Sequence, residues 1–141
     1  MKNYQLIKTS WQENREALSQ IRQKVFIEEQ KVPEKLEWDE YDKTSLHILA
    51  LNHHQQPIAT GRIKPDGQIG RMAVLKEYRH QGIGSQIIKA LIEYARQQGY
   101  PNIYLHAQTS AIPFYKHSGF TEYGNEFLDA NIPHQSMRLA K

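Results

Sequence analysis

The segment Arg79-His80-Gln81-Gly82-Ile83-Gly84 sets two glycines two apart where strand character gives way to helical character. Upstream, Ile69-Gly70-Arg71-Met72-Ala73-Val74-Leu75 reads as a buried strand; downstream, Ile87, Ile88, Leu91, Ile92 and Ala95 recur on one helical face. Gly99 and Pro101 stop that helix, and Ile103-Tyr104-Leu105-His106-Ala107 makes a second strand, parallel to the first in a β-α-β step. Glycine without a Cβ lets backbone N–H groups turn toward an anion, and the helix N-terminus adds roughly half a positive charge. A phosphate fits this junction, although a purely structural turn would carry the same glycines.

Around this unit the chain alternates short elements. Tyr4 to Thr9 is an expected strand, and Ser10-Trp11-Gln12-Glu13 is a capping box opening a helix whose apolar positions Leu18, Ile21 and Val25 carry it to about Gln30. Lys31 to Lys43 is polar and aperiodic, a loop with room for short helical turns. Leu46 to Leu51, Ile58 to Ile63 and Gln68 to Val74 form an antiparallel meander, separated by His53-His54-Gln55-Gln56-Pro57 and Lys64-Pro65-Asp66-Gly67. The helix Ser85 to Gln98 and the parallel strand are followed by a short helix from Ala111 to His117. Strands Phe120 to Tyr123 and Ser136 to Leu139 close the chain around a loop from Asn125 to Pro133. The order is β-α-β-β-β-α-β-α-β-β, an α+β domain with a mixed central sheet.

Length and composition narrow the function. The 141 residues suit a single domain, 1–141, with one site. Eighteen Lys plus Arg against 15 Asp plus Glu leave a dispersed charge of +3, which argues against a nucleic-acid partner. The chain has no cysteine, which excludes disulfides and thiolate chemistry and fits a cytoplasmic protein. The N-terminal residues show no apolar signal core and no stretch is long enough to span a bilayer, so no membrane partner is expected. Of the seven histidines only His53 and His54 are adjacent, and no metal-ligand spacing appears, so no metal is expected. The acidic stretch Glu34 to Asp42 reads as solvated surface, with Trp38 and Tyr41 as an alternative wall for an amine pocket. A dinucleotide fingerprint fails because Ile87 stands where its third glycine belongs, and no P-loop Gly-Lys-Ser/Thr follows.

The order strand, R-x-x-G-x-G, helix, strand, then a short helix carrying Phe114-Tyr115 before Gly119-Phe120, resembles the GNAT superfamily of acetyl-CoA-dependent N-acetyltransferases. Val25-Phe26-Ile27-Glu28-Glu29-Gln30, His106-Ala107-Gln108 and Phe127 to His134 resemble a bacterial subgroup similar to YjcF and ElaA. The resemblance implies a V-shaped opening between the two central parallel strands, into which acetyl-CoA slides. Backbone groups of Met72, Ala73 and Val74 would bind its pantetheine arm. Arg79, His80, Gln81, Gly82, Ile83, Gly84 and Ser85 would hold its pyrophosphate, and Tyr115 would face its sulfur. Gln108 departs from the asparagine that many relatives carry there.

Acetyl transfer to an amine needs a neutral nucleophile, an oxyanion donor and a proton for the departing thiolate. The Tyr115 phenol suits the thiolate, and a backbone N–H between Met72 and Val74 suits the oxyanion. Base candidates are Glu29, Glu28, His106, Asp129 and His134, with Glu29 favoured. Glu28 and Glu29, at a helix end beside the groove, imply a small cationic primary amine as acceptor, and His106 and His134 are candidates to line its pocket. The rival reading is a catalytically silent acyl-CoA-binding sensor or interaction module. A homodimer stays open.

Overall fold

A computed structural model describes residues 3–140. Strand β1 (Tyr4–Thr9) leads into helix α1 (Trp11–Arg22), capped by the Ser10 hydroxyl oxygen, which accepts from the Glu13 N–H at 3.2 Å. The helix then widens into a π-helical segment, Gln23–Glu29, closed by the Gln30 N–H donating to the Val25 carbonyl five residues back at 3.0 Å. The expected extent holds, but the pitch of its last seven residues does not. Helix α2 (Glu34–Glu37) and a 3-10 turn (Glu40–Lys43) occupy the polar stretch.

Strands β2 (Leu46–Asn52), β3 (Pro57–Ile63) and β4 (Gln68–Val74) form the meander. Helix α3 (Ile83–Gln97), strand β5 (Tyr104–Gln108) and helix α4 (Ile112–His117) follow. Strands β6 (Phe120–Glu122), β7 (Phe127–Asp129) and β8 (Ile132–Leu139) close the chain. Strand β7 and the start of β8 replace the loop expected from Asn125 to Pro133. Asp129 pairs with Ile132 across a two-residue turn in which Ala130 and Asn131 both take positive φ, 51° and 64°. An alanine in that position gives no turn signal.

The sheet runs β1-β2-β3-β4-β5-β8-β6 with β7 on β8, and only β4–β5 is parallel. Alternation along the strands gives each face its own core. On one, Ile87, Leu91 and Ala95 of α3 meet Ile48, Ile58, Ile69 and Leu105; on the other, Leu18, Ile21, Val25 and Phe26 meet Leu49, Ala73 and Leu75.

The second face also buries charge. Arg22 follows the apolar stripe of α1 and is 0% exposed; its Nε meets Glu37 Oε2 at 2.8 Å, and its Nη1 meets Asp42 Oδ1 at 2.7 Å. Its guanidinium also lies 5.4 and 5.1 Å from the ring centroids of Trp11 and Trp38. Arg62 bridges Asp39 and Asp42 at 2.7 and 2.8 Å, and Arg71 bridges Glu37 and Asp39 at 3.1 and 3.2 Å. The acidic stretch is therefore not plain solvated surface: Glu37 and Asp42 are buried because three arginines from α1, β3 and β4 await them. Trp38 covers Arg22, while Tyr41 is exposed beneath Lys64 Nζ.

Burial works against the charge on Asp39, but hydrogen bonds and charge pairing with Arg62 and Arg71 prevail and hold its carboxyl at about 2. A depressed folded pKa gives stability above the unfolded value that is lost as pH falls through the folded one. Discounted for the partial exposure of its side chain, Asp39 thus contributes about 1–2 kcal/mol at neutral pH, vanishing between about pH 4 and pH 2. In urea unfolding at stepped pH, the stability gap between wild type and Asp39→Asn should close over that window. Parallel curves would exclude the pairing as the source.

Candidate active site

Strands β4 and β5 are joined only through Gln68 with Tyr104 and Ile69 with Leu105, and then diverge. The cause lies in β4, where Arg71 and Met72 together oppose Gly61 of β3. This bulge bends the strand, with Arg71 at φ 51°. Beyond it β4 stays paired to β3 through Ala73 with Thr60 and Val74 with Ala59. The other backbone edge of the Met72–Val74 stretch faces the divergence; Arg79 Nε occupies the Val74 carbonyl, and the rest of the edge is open to an extended ligand.

At the end of β4 the chain turns through Lys76–Tyr78 into α3. Gly82 is the N-cap of α3 at φ 82°, and a Cβ built there would meet nothing within 4 Å. A side chain there would be strained by φ and would fill the open space at the N-terminus of α3. Gly84 is a packing glycine: its missing Cβ would lie 3.3 Å from the Phe114 ring and 3.8 Å from Val74. His80, Gln81, Ile83 and Ser85 complete this loop and first turn, whose leading N–H groups have no intrahelical partners.

Arg79 sits in the loop, but its side chain points to protein. Its Nε donates to the Val74 carbonyl at 2.9 Å, and Nη1 and Nη2 grip Glu29 at 2.7 and 2.6 Å. The Arg79 hydrogen bond lowers the Glu29 carboxyl below its ordinary value. Glu29 is therefore an ion-pair partner tying the π-helical segment to the loop before α3, and a weak proton acceptor. Neither Glu28 nor Glu29 lines the main cavity, so the expected acidic acceptor end is displaced: the π-helical pitch carries Phe26 and Gln30 to the cavity instead.

That cavity, about 330 Å³, lies where β4 and β5 diverge, under the end of the π-helical segment, α2 and the β7–β8 hairpin. It brings together Met72, Tyr115, His106, His134, Asp129 and Arg71. Acidic-stretch residues do wall it, but they are Leu36 and Glu37, not Trp38 and Tyr41. Gln108, in the departing position, donates from Nε2 to Gln30 Oε1 at 2.7 Å and closes one side.

Tyr115, on α4, packs edge-on against Phe114 and Phe120. Burial pushes its phenol up, so it stays a neutral donor, and among the described residues its hydroxyl has no hydrogen-bond partner. The two histidines differ by tautomer. Lys64 Nζ fixes the Gln68 amide by donating to its oxygen at 3.0 Å, so the Gln68 NH₂ faces His106 Nδ1 at 3.3 Å. His106 Nδ1 accepts, and its proton sits on Nε2. His134 is the reverse: Nδ1 lies 2.7 Å from the Ile132 carbonyl, which can only accept, so Nδ1 carries a proton and, in the neutral ring, the lone pair is on Nε2. Phe127 holds both rings, stacked on His134 at 5.8 Å and edge-on to His106 at 5.1 Å. Burial also lowers the His106 pKa.

The residues that sequence reasoning passed over are Arg71, Glu37 and the Gln30–Gln108 bridge. The available signals were charges in apolar company, Arg22 after Leu18 and Ile21 on α1 and Arg71 within Ile69 to Val74.

Residues 9–141 match the family described as an acetyltransferase (GNAT) domain. The chain is 40% identical over 121 residues to the uncharacterized N-acetyltransferase YjcF of Bacillus subtilis (strain 168), covering 83% of this chain and 86% of that one. It superposes on Escherichia coli ElaA with a TM-score of 0.86 at 27% identity, covering 96% of this chain and 99% of that one. An acetyltransferase from Bacillus anthracis str. Ames, in complex with acetyl coenzyme A, superposes at 0.59 with 25% identity, over 71% of this chain and 65% of that one.

Proposed function

This chain belongs to the GNAT family of acetyltransferases, and from that premise we propose that it moves an acetyl group from acetyl-CoA to the primary amine of a small molecule, by direct attack in a ternary complex. The observation that carries this reading is the convergence, in one cavity, of an open β4 backbone edge, an unpartnered phenol and an imidazole with a free lone pair. A volume of 330 Å³ falls at the low end for small-molecule sites, roughly 300–1,000 Å³, and favours a small acceptor.

The open edge of Met72, Ala73 and Val74 holds the pantetheine arm, and the loop from His80 to Ser85 with its Gly82 turn holds the pyrophosphate. Arg79 shapes that loop through Glu29 and Val74. His134 Nε2 takes the proton of the acceptor ammonium, freeing the nitrogen lone pair to attack the thioester carbonyl. A backbone N–H of the Met72–Val74 stretch stabilises the oxyanion, a contact typically worth about 2.7–4 kcal/mol. As the C–S bond breaks, the Tyr115 hydroxyl gives its proton to sulfur and regains one from the attacking nitrogen as the amide forms, so CoA leaves as the thiol and the phenol ends neutral. His106, with its proton on Nε2, serves as a donor to the acceptor. The expectation of a cationic acceptor rested on Glu28 and Glu29, and the cavity offers different chemistry to the rest of the molecule.

Tyr115→Phe keeps the packed ring and deletes the donor. Turnover should fall about 10- to 1,000-fold with acetyl-CoA affinity nearly unchanged. Measured CoA release at the wild-type rate in this variant would remove Tyr115 from the chemistry.

A further inference from the structure

The Arg71 side chain is held more firmly than its place on an apolar strand requires, and one of its nitrogens is left over. Nε donates to the Glu37 carbonyl at 3.2 Å and meets Glu37 Oε2 at 3.1 Å; Nη2 donates to the Glu37 carbonyl at 3.0 Å and to Asp39 Oδ2 at 3.2 Å. Nη1 has no partner among the described residues. It is not sealed from solvent either, because the only side-chain nitrogen or oxygen both buried and unpartnered among them is Arg62 Nε. Arg71 lines the cavity with its side chain 26% exposed.

The backbone is strained to put it there. In a regular strand Arg71 would share the α3 face with Ile69. The bulge and a φ of 51°, unfavourable for any residue with a Cβ, instead turn it toward α2 and the cavity. Three arginines and three carboxylates balance in this cluster, so the site carries no net charge and offers one fixed guanidinium nitrogen with its two N–H donors unused.

Resting on the acetyltransferase reading above, we infer that Arg71 Nη1 is the anchor for a carboxylate on the acceptor, so that the substrates are amino acids or other amino-carboxylates rather than simple amines or polyamines. The carboxylate seats on Nη1 at the α2 wall, and the amine reaches His134 Nε2 on β8. A phosphate dianion would demand more donors than this single nitrogen provides. A polyamine would place a second ammonium against a guanidinium.

The test compares an amino acid with its carboxamide and its decarboxylated amine, as matched acceptors at saturating acetyl-CoA, across the common amino acids. Wild type should favour the carboxylate by roughly 10- to 100-fold in kcat/KM, the range for a lost charge-assisted hydrogen bond. In Arg71→Gln the preference should collapse toward one, mainly through a higher KM for the carboxylate acceptor, with the thermal shift by acetyl-CoA retained. Wild type that prefers the amide or the bare amine overturns the inference without reference to any variant, as does an undiminished preference in Arg71→Gln. CoA release from no acceptor, with acetyl-CoA still bound, overturns the transfer reading itself and this inference with it.

Discussion

Arg22→Met should destabilise the protein by about 3–5 kcal/mol, because it leaves Glu37 and Asp42 buried without their central cation. That is a large share of a typical total of about 5–15 kcal/mol. The loss exceeds a packing effect: methionine fills much of the same space between Trp11 and Trp38, so what disappears is the charge and the donors at Nε, Nη1 and Nη2. Equilibrium urea unfolding at pH 7 reads the difference. A change under about 1 kcal/mol would mean that Arg62 and Arg71 alone satisfy the two carboxylates.

His134→Asn should lower turnover by about 100- to 10,000-fold while acetyl-CoA binding stays intact. Asparagine can still donate to the Ile132 carbonyl, which preserves the hairpin contact, but it has no basic nitrogen in place of Nε2. Steady-state CoA release with the best acceptor, beside acetyl-CoA affinity, separates the two roles. A rate within a few-fold of wild type would return the base to another group or to water. Glu29→Gln is the instructive contrast. Its partner is Arg79 rather than the acceptor, so it should alter acetyl-CoA affinity and leave the acceptor KM nearly unchanged.

Local chemistry was legible in the sequence where partners lie close along the chain. Ser10 and Glu13 cap α1, the glycines at 82 and 84 open α3, and the β-α-β step from β4 to β5 follows from the helical stripe between them. The family resemblance placed Tyr115 beside the cleft, and the cavity includes it. What stayed hidden depends on distant partners or on backbone irregularity. Arg22 finds carboxylates 15 and 20 residues away, and Arg62 and Arg71 reach the same cluster from separate strands. The acidic stretch therefore looked solvated when it was waiting for three cations. The π-helical segment shifts the phase of Glu28 and Glu29, so a helical wheel drawn at 3.6 residues per turn misplaces them. The bulge at Arg71 reverses that side chain's face, and its one local signal is the strand glycine beside it, Gly70.

The central claim is that an acetyl group leaves CoA for an amine in the cleft between β4 and β5. It is tested most directly by following free CoA from acetyl-CoA and the acetylated product by mass, with the wild-type protein and a panel of primary amines that includes amino acids. The account predicts equimolar CoA and N-acetylated product with at least one acceptor, well above the acceptor-free rate. Acetyl-CoA that stabilises the fold while no acceptor raises CoA release would contradict it, and would identify the chain as a silent acyl-CoA-binding module.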